Sequence, residues 1–265
     1  MLETKIVQKF GNSGHIILPK EYIGKRIKFI TETKTFSQIK LEILDILGPY
    51  LENILGVYLY GSYARNEQTL ESDIDILVIT DKKLKIEHEE YEIVSVTKKG
   101  VENMLNYDAV LILPIIREAK PIINSQLIES YKKYKFTNKN TKEFIEACER
   151  MVKINKEGFK LGMLDVNTII YSSILRIRGL IMINLGIKKK KYSKSELFDF
   201  LETKFQKEKA SEFYKIYSNK RDSKNYRINT KIINKEDIKK LIKLNRDLIK
   251  KTKKNKWERK NTKKG

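Results

Sequence analysis

Cysteine is almost absent from this sequence. The single Cys148 excludes an internal disulfide framework and fits a reducing compartment. Histidine is nearly as scarce: His15 and His88 are too few and too far apart for a zinc site, and a Ser-His-Asp relay would have to draw on one of them. No window approaches about 18 apolar residues without a charge, so no membrane span is expected. The opening MLETKIVQKF lacks the apolar core of a signal peptide. The expectation is a cytoplasmic protein with no membrane partner. Proline occurs only at positions 19, 49, 114 and 121, which leaves the remainder of the chain without the strongest helix breaker.

What is present is charge and enough apolar residues for packed cores. Of 265 residues, 40% are hydrophobic and 34% charged, which is not a disordered composition. The length suits two domains, or three small ones. The net charge of +21 is uneven: residues 188–265 hold 28 Lys+Arg against 10 Asp+Glu, so +18 falls in that region. A basic block of this kind is the electrostatic footprint of a polyanion binder, and it is equally the pattern of solvated Lys-rich helix faces.

Apolar residues recur at helical spacing in Phe144–Ala147–Cys148–Met151–Ile154 and Ile170–Ile174–Ile177–Ile181. Gly186 reads as a C-cap of the second helix, and Ser193 with Glu196 has capping-box spacing for the next. Residues 140–255 read as about five helices, hence a bundle. Upstream, Lys34–Leu47 reads as an amphipathic helix, and Val57–Tyr60, Ile74–Thr80 and Tyr91–Val96 read as strands. At the N-terminus, strands Thr4–Phe10 and His15–Leu18 flank the turn Gly11-Asn12-Ser13-Gly14. The expected class is α+β: a β-hairpin module (1–30), a small mixed-sheet domain (31–135), an all-α bundle (136–255) and a basic tail (256–265).

The stretch Gly61-Ser62-Tyr63-Ala64-Arg65-Asn66-Glu67-Gln68-Thr69-Leu70-Glu71-Ser72-Asp73-Ile74-Asp75 carries the chemistry. An apolar strand runs into Gly-Ser, and Asp-x-Asp then opens another strand. Gly61 has no Cβ to keep a ligand from the backbone. The segment from Ser62 to Arg65 can start a helix whose free N–H groups suit a polyphosphate, with the Ser62 hydroxyl as a further donor. Asp73 and Asp75, two apart on a strand, face the same way. Two hard oxygen donors beside a phosphate cradle suit Mg²⁺ and phosphoryl transfer.

GSYARNEQTLESDIDILVI resembles the Gly-Ser-x10-Asp-x-Asp signature of the DNA polymerase β-like nucleotidyltransferases, in particular the minimal nucleotidyltransferase (MNT) branch, over about residues 35–135. The resemblance implies that Gly61 and Ser62 hold a nucleoside triphosphate such as ATP, with Arg65 at a basic position that usually follows. It implies that Asp73 and Asp75 bind two Mg²⁺. Asn66 stands where the family commonly has Gly. A third carboxylate on a later strand completes the implied site: Glu92 is the choice, Glu90 the alternative on the same strand face. Glu in place of Asp there departs from the family.

Two flanks carry further resemblances. VQKFGNSGHIILPKEYIGKRIKFI, residues 7–30, resembles the swapped-hairpin DNA-binding domains of the AbrB/MazE type, which implies DNA as a partner, contacts from Lys5, Lys9 and Lys20, and a homodimer. The helical C-terminal part resembles HEPN domains, which often accompany MNT domains. HEPN ribonucleases pair an Arg with a nearby His; Arg221-Asp222-Ser223-Lys224-Asn225-Tyr226 has Tyr226 in the His position, so Arg221 and Tyr226 are expected as contacts rather than as a cleaving pair.

The leading expectation is a Mg²⁺-dependent enzyme moving a nucleoside monophosphate, AMP from ATP, onto a hydroxyl of a protein or RNA acceptor; the MNT resemblance points to a toxin–antitoxin setting. The alternative is a non-catalytic DNA-binding regulator that uses the N-terminal hairpin. A small-molecule transferase of the antibiotic-modifying type ranks third, since a basic bundle repels cationic acceptors.

Overall fold

The computed structural model describes residues 5, 7–27, 33–70, 72–188, 192–221 and 231–261. A two-stranded antiparallel hairpin, β1 (Gln8–Phe10) and β2 (Ser13–His15), comes first. Its turn is tighter than the four residues expected: Gly11 takes a left-handed φ of 58° and lets the chain reverse at Gly11-Asn12, so Ser13 and Gly14 pair as strand. Lys5, Lys9 and Lys20 are exposed, Lys20 in a 3₁₀ turn after the hairpin.

Helix α1 (Phe36–Leu47) starts two residues later than the apolar spacing alone implied, because Thr35 and Gln38 form a reciprocal capping box. The central sheet contains β3 (Ile54–Tyr60), β4 (Ile74–Thr80), β5 (Tyr91–Thr97) and β6 (Lys120–Ile123), in the order β5-β4-β3-β6. The β4–β5 pair is parallel and the others antiparallel. Between these strands run α2 (Gly61–Arg65), α3 (Lys98–Tyr107) and α4 (Ala109–Glu118); α5 (Ser125–Lys132) follows β6.

Both faces of the sheet are covered, which is why β3 and β4 are apolar at nearly every position rather than alternating. Tyr58, Leu77 and Ile79 pack with residues of α3, α4 and α5 on one face. Val57, Leu59, Ile76 and Val78 pack with Ile39, Ile43 and Leu47 of α1 on the other. Strand β6 escaped the sequence reading because it is short and holds Pro121, which an edge strand tolerates.

The C-terminal part is a bundle of α6 (Lys142–Leu161), α7 (Val166–Ile187), α8 (Lys194–Glu202), α9 (Lys207–Arg221) and α10 (Lys235–Asn261). Helix α7 is its axis, packed against α6, α9 and α10. By length and composition α7 could cross a membrane, but 61% of its apolar window is buried inside the bundle, the condition of a core helix. Gly186 does not cap it: α7 continues to Ile187, and Gly186 admits the Phe136 ring and the Arg117 guanidinium against the helix backbone. Ser193 precedes α8 but makes no side-chain cap; its hydroxyl pairs with that of Ser195. Helix α10 runs on to Asn261, through the start of the stretch read as a tail.

Candidate active site

Register positions the central groups. Tyr60, the last residue of β3, pairs with Asp75 of β4, and Asp75 pairs with Glu92 of β5. The three therefore form one row across the sheet, their side chains on a common face. Asp73 lies two residues before Asp75, at the entry to β4.

At the end of β3 the chain turns through Gly61, whose φ is 73°, and forms the single helical turn of α2. A Cβ on Gly61 would overlap the Asp75 carboxylate. The glycine is thus needed twice, for its backbone conformation and for the space it cedes. Asn66, standing where the resemblance implies a common glycine, takes the left-handed conformation itself (φ 58°, ψ 37°), which asparagine tolerates, and its side chain accepts from Lys120 Nζ at 2.8 Å.

Asp75 is mostly buried. Burial, and then the charges of Glu92, Asp73 and Glu118, push its carboxyl up to about 7, with Arg65 opposing them. The Tyr60 phenol is pushed up by burial and by Asp75, Glu92 and Glu118. Glu92 is therefore the strand carboxylate that Asp75 senses. Glu90, the alternative, is drawn off to Lys34 at 2.8 Å, and Lys34 also holds Glu42 at 2.5 Å. Among the described residues, no group of three His, Cys, Asp or Glu side chains is close enough to hold a metal ion jointly; Asp73 and Glu92 are both exposed. The donor set nonetheless suits Mg²⁺. It is all carboxylate oxygen, and the Asp75 carboxyl, raised first by burial and then by the neighbouring carboxylates, is a site where a hard cation would favour the ionised form.

The sequence reading missed Glu118, the last residue of α4. Its Oε1 accepts from the Gly61 N–H at 2.9 Å and its Oε2 from Arg65 Nη1 at 2.7 Å. Arg65 Nε also donates to Glu67 at 2.8 Å. Arg65, expected on the triphosphate, is thus held between two carboxylates, which outweigh its burial and raise its pKa. No hydrogen bond engages the Ser62 hydroxyl among the described residues. A carboxylate at the C-terminal end of a helix opposes the helix dipole, a signal legible only once α4 is recognised.

Beside these groups a cleft of about 1250 Å³ separates the sheet domain from the bundle. Arg65, Arg117, Lys120, Lys132, Lys133 and Lys135 line it, against only Glu67 and Glu118. Arg117 lies over the Phe136 ring at 5.1 Å, and burial lowers its pKa. Among the other expected contacts, Arg221 ends α9, and Tyr226 lies outside the described residues.

Residues 42–140, the sheet region, match the family model "Polymerase beta, Nucleotidyltransferase". Residues 4–31 match a different model, described as "Putative transposon-encoded protein". Among solved structures, the chain is similar to a spectinomycin adenyltransferase, AAD(9), from Enterococcus faecialis, solved with ATP and spectinomycin. The identity is 14%, over 82% of this chain and 100% of that one, with a TM-score of 0.45. No curated protein matches the chain.

Proposed function

We propose that the protein is a Mg²⁺-dependent nucleotidyltransferase that moves a nucleoside monophosphate, AMP from ATP, onto the hydroxyl of an RNA or protein acceptor. The observation that carries this reading is the Tyr60–Asp75–Glu92 row beside Gly61, within the segment that matches the nucleotidyltransferase model. Asp73, Asp75 and Glu92 would hold the metal, and Gly61, Ser62 and Arg65 the triphosphate. Bound Mg²⁺ would acidify the attacking hydroxyl and neutralise the leaving pyrophosphate. The acceptor hydroxyl gives up its proton to solvent and its oxygen attacks the α-phosphorus; the bond from that phosphorus to the bridging oxygen breaks, and pyrophosphate departs. Asp75 would be held ionised beside a bound cation, and the β4–β5 register sets the Asp75 and Glu92 carboxylates side by side.

The cleft favours RNA among the acceptors. Six cationic side chains against two carboxylates suit a phosphate backbone, whereas an uncharged protein hydroxyl gains nothing from them. Incubation with labelled ATP, Mg²⁺ and either cell RNA or cell protein tests the reading. Label should enter RNA and vanish with Asp73→Ala/Asp75→Ala; label entering protein instead would reassign the acceptor.

The exposure of Asp73 and Glu92 favours one other reading, a non-catalytic regulator that binds DNA through its N-terminal hairpin. In that case the double variant would change nothing, and deletion of residues 1–30 would abolish a salt-sensitive shift of duplex DNA.

A further inference from the structure

Glu118 holds two groups that the proposed reaction needs for its nucleotide. One carboxylate accepts from the Gly61 amide through Oε1 and from Arg65 Nη1 through Oε2. Nothing in the local helix calls for it, since a carboxylate closing α4 is unfavourable there. It also adds negative charge to a site that already contains Asp73, Asp75 and Glu92, and Asp75 senses it.

We propose that Glu118 is an internal competitor of the nucleotide: its carboxylate fills the triphosphate's place on Gly61 and Arg65, and nucleotide binding displaces it. The inference rests on the nucleotidyltransferase reading above. The exchange is feasible on the geometry. Glu118 is 20% exposed and lines the cleft, so it has a way out. Arg65 keeps Glu67 when Glu118 leaves. The departing carboxylate has a cation nearby in Lys120, two residues on and held by the neutral amide oxygen of Asn66. Phosphate oxygens replace carboxylate oxygens on the same donors, so no donor is left unpaired, and removing Glu118 lowers the repulsion between the site and a polyanion.

Glu118 thereby sets nucleotide affinity without touching the reacting atoms. Glu118→Gln preserves the shape and can still accept weakly from Gly61, so the loop keeps its support while the competitor loses its charge. Titrating a fluorescent ATP analogue with Mg²⁺ into the full chain should give a Kd about tenfold lower for Glu118→Gln than for the wild type. Glu118→Asp, charged but one methylene short of bridging both donors, should fall between them. An unchanged or weaker Kd for Glu118→Gln overturns the proposal, because a supporting role alone would weaken binding. A wild-type measurement covers the case in which the variants do not fold: on saturation with the analogue, the Gly61 amide and Glu118 carboxyl NMR signals should move together, and a stationary Glu118 signal overturns the proposal. Wild-type binding with no gain in Glu118→Gln sinks this inference alone; no binding by either chain sinks the nucleotidyltransferase reading with it.

Discussion

The Asp75 carboxylate occupies the space that any side chain at position 61 would fill. Gly61 also has a φ of 73°. Gly61→Ala therefore either pushes Asp75 out of its row with Tyr60 and Glu92 or forces the turn to reshape. The expected outcome is loss of nucleotide binding together with a destabilisation of about 1–3 kcal/mol, read by analogue titration and thermal melting. A Gly61→Ala chain that binds nucleotide as the wild type does would contradict the packing described here.

Asp75 gives the stability of the metal-free protein a definite pH dependence. Its carboxyl is pushed up to about 7 in the folded chain, whereas in the unfolded chain it titrates near the ordinary value of about 4. Between these values the unfolded state loses its proton first, so stability falls as pH rises toward 7. Each pKa unit separating the two states corresponds to about 1.4 kcal/mol. Chemical denaturation in chelator across this range should show the fall, and Asp75→Asn should flatten it. Parallel curves for the two chains would show that Asp75 is not the group responsible.

The seam between the sheet domain and the bundle depends on Gly186. A Cβ there would stand 2.6 Å from the Phe136 ring and 2.7 Å from Arg117 Nη1. Gly186→Ala gains helix propensity but overpacks this contact, and a net loss of about 1–3 kcal/mol is expected. Stabilisation on calorimetry would show that the seam yields freely.

Cys148 is fully buried on α6, and burial pushes its thiol up to about 12. A thiol-reactive dye at mild alkaline pH should leave the native chain unlabelled and label it stoichiometrically after unfolding. Rapid labelling of the native state would place Cys148 outside the core.

The sequence made β4 legible to the residue, and β3 and β5 to within a few, because runs of Val, Ile, Leu and Tyr bounded by turn residues have few other uses. The Gly-Ser and Asp-x-Asp elements were legible for the same reason: their spacing joins two such strands. Glu92 was preferred to Glu90 in the sequence, but the physical grounds that separate them, the parallel β4–β5 register and the capture of Glu90 by Lys34, are visible only in the structure. Glu118 was hidden behind a separation of 57 residues from Gly61. Gly186 illustrates a different failure: a glycine near a helix end reads as a cap, and only the tertiary neighbour Phe136 reveals that it serves close packing.

The most direct test of the central claim compares ATP labelled on the α-phosphate with ATP labelled on the γ-phosphate, in the presence of Mg²⁺ and cell RNA. Nucleotidyl transfer predicts acceptor labelling from the α-position alone, release of pyrophosphate, and a loss of about a hundredfold or more in Asp75→Asn. Labelling from the γ-position, or α-labelling that survives in Asp75→Asn, would contradict it.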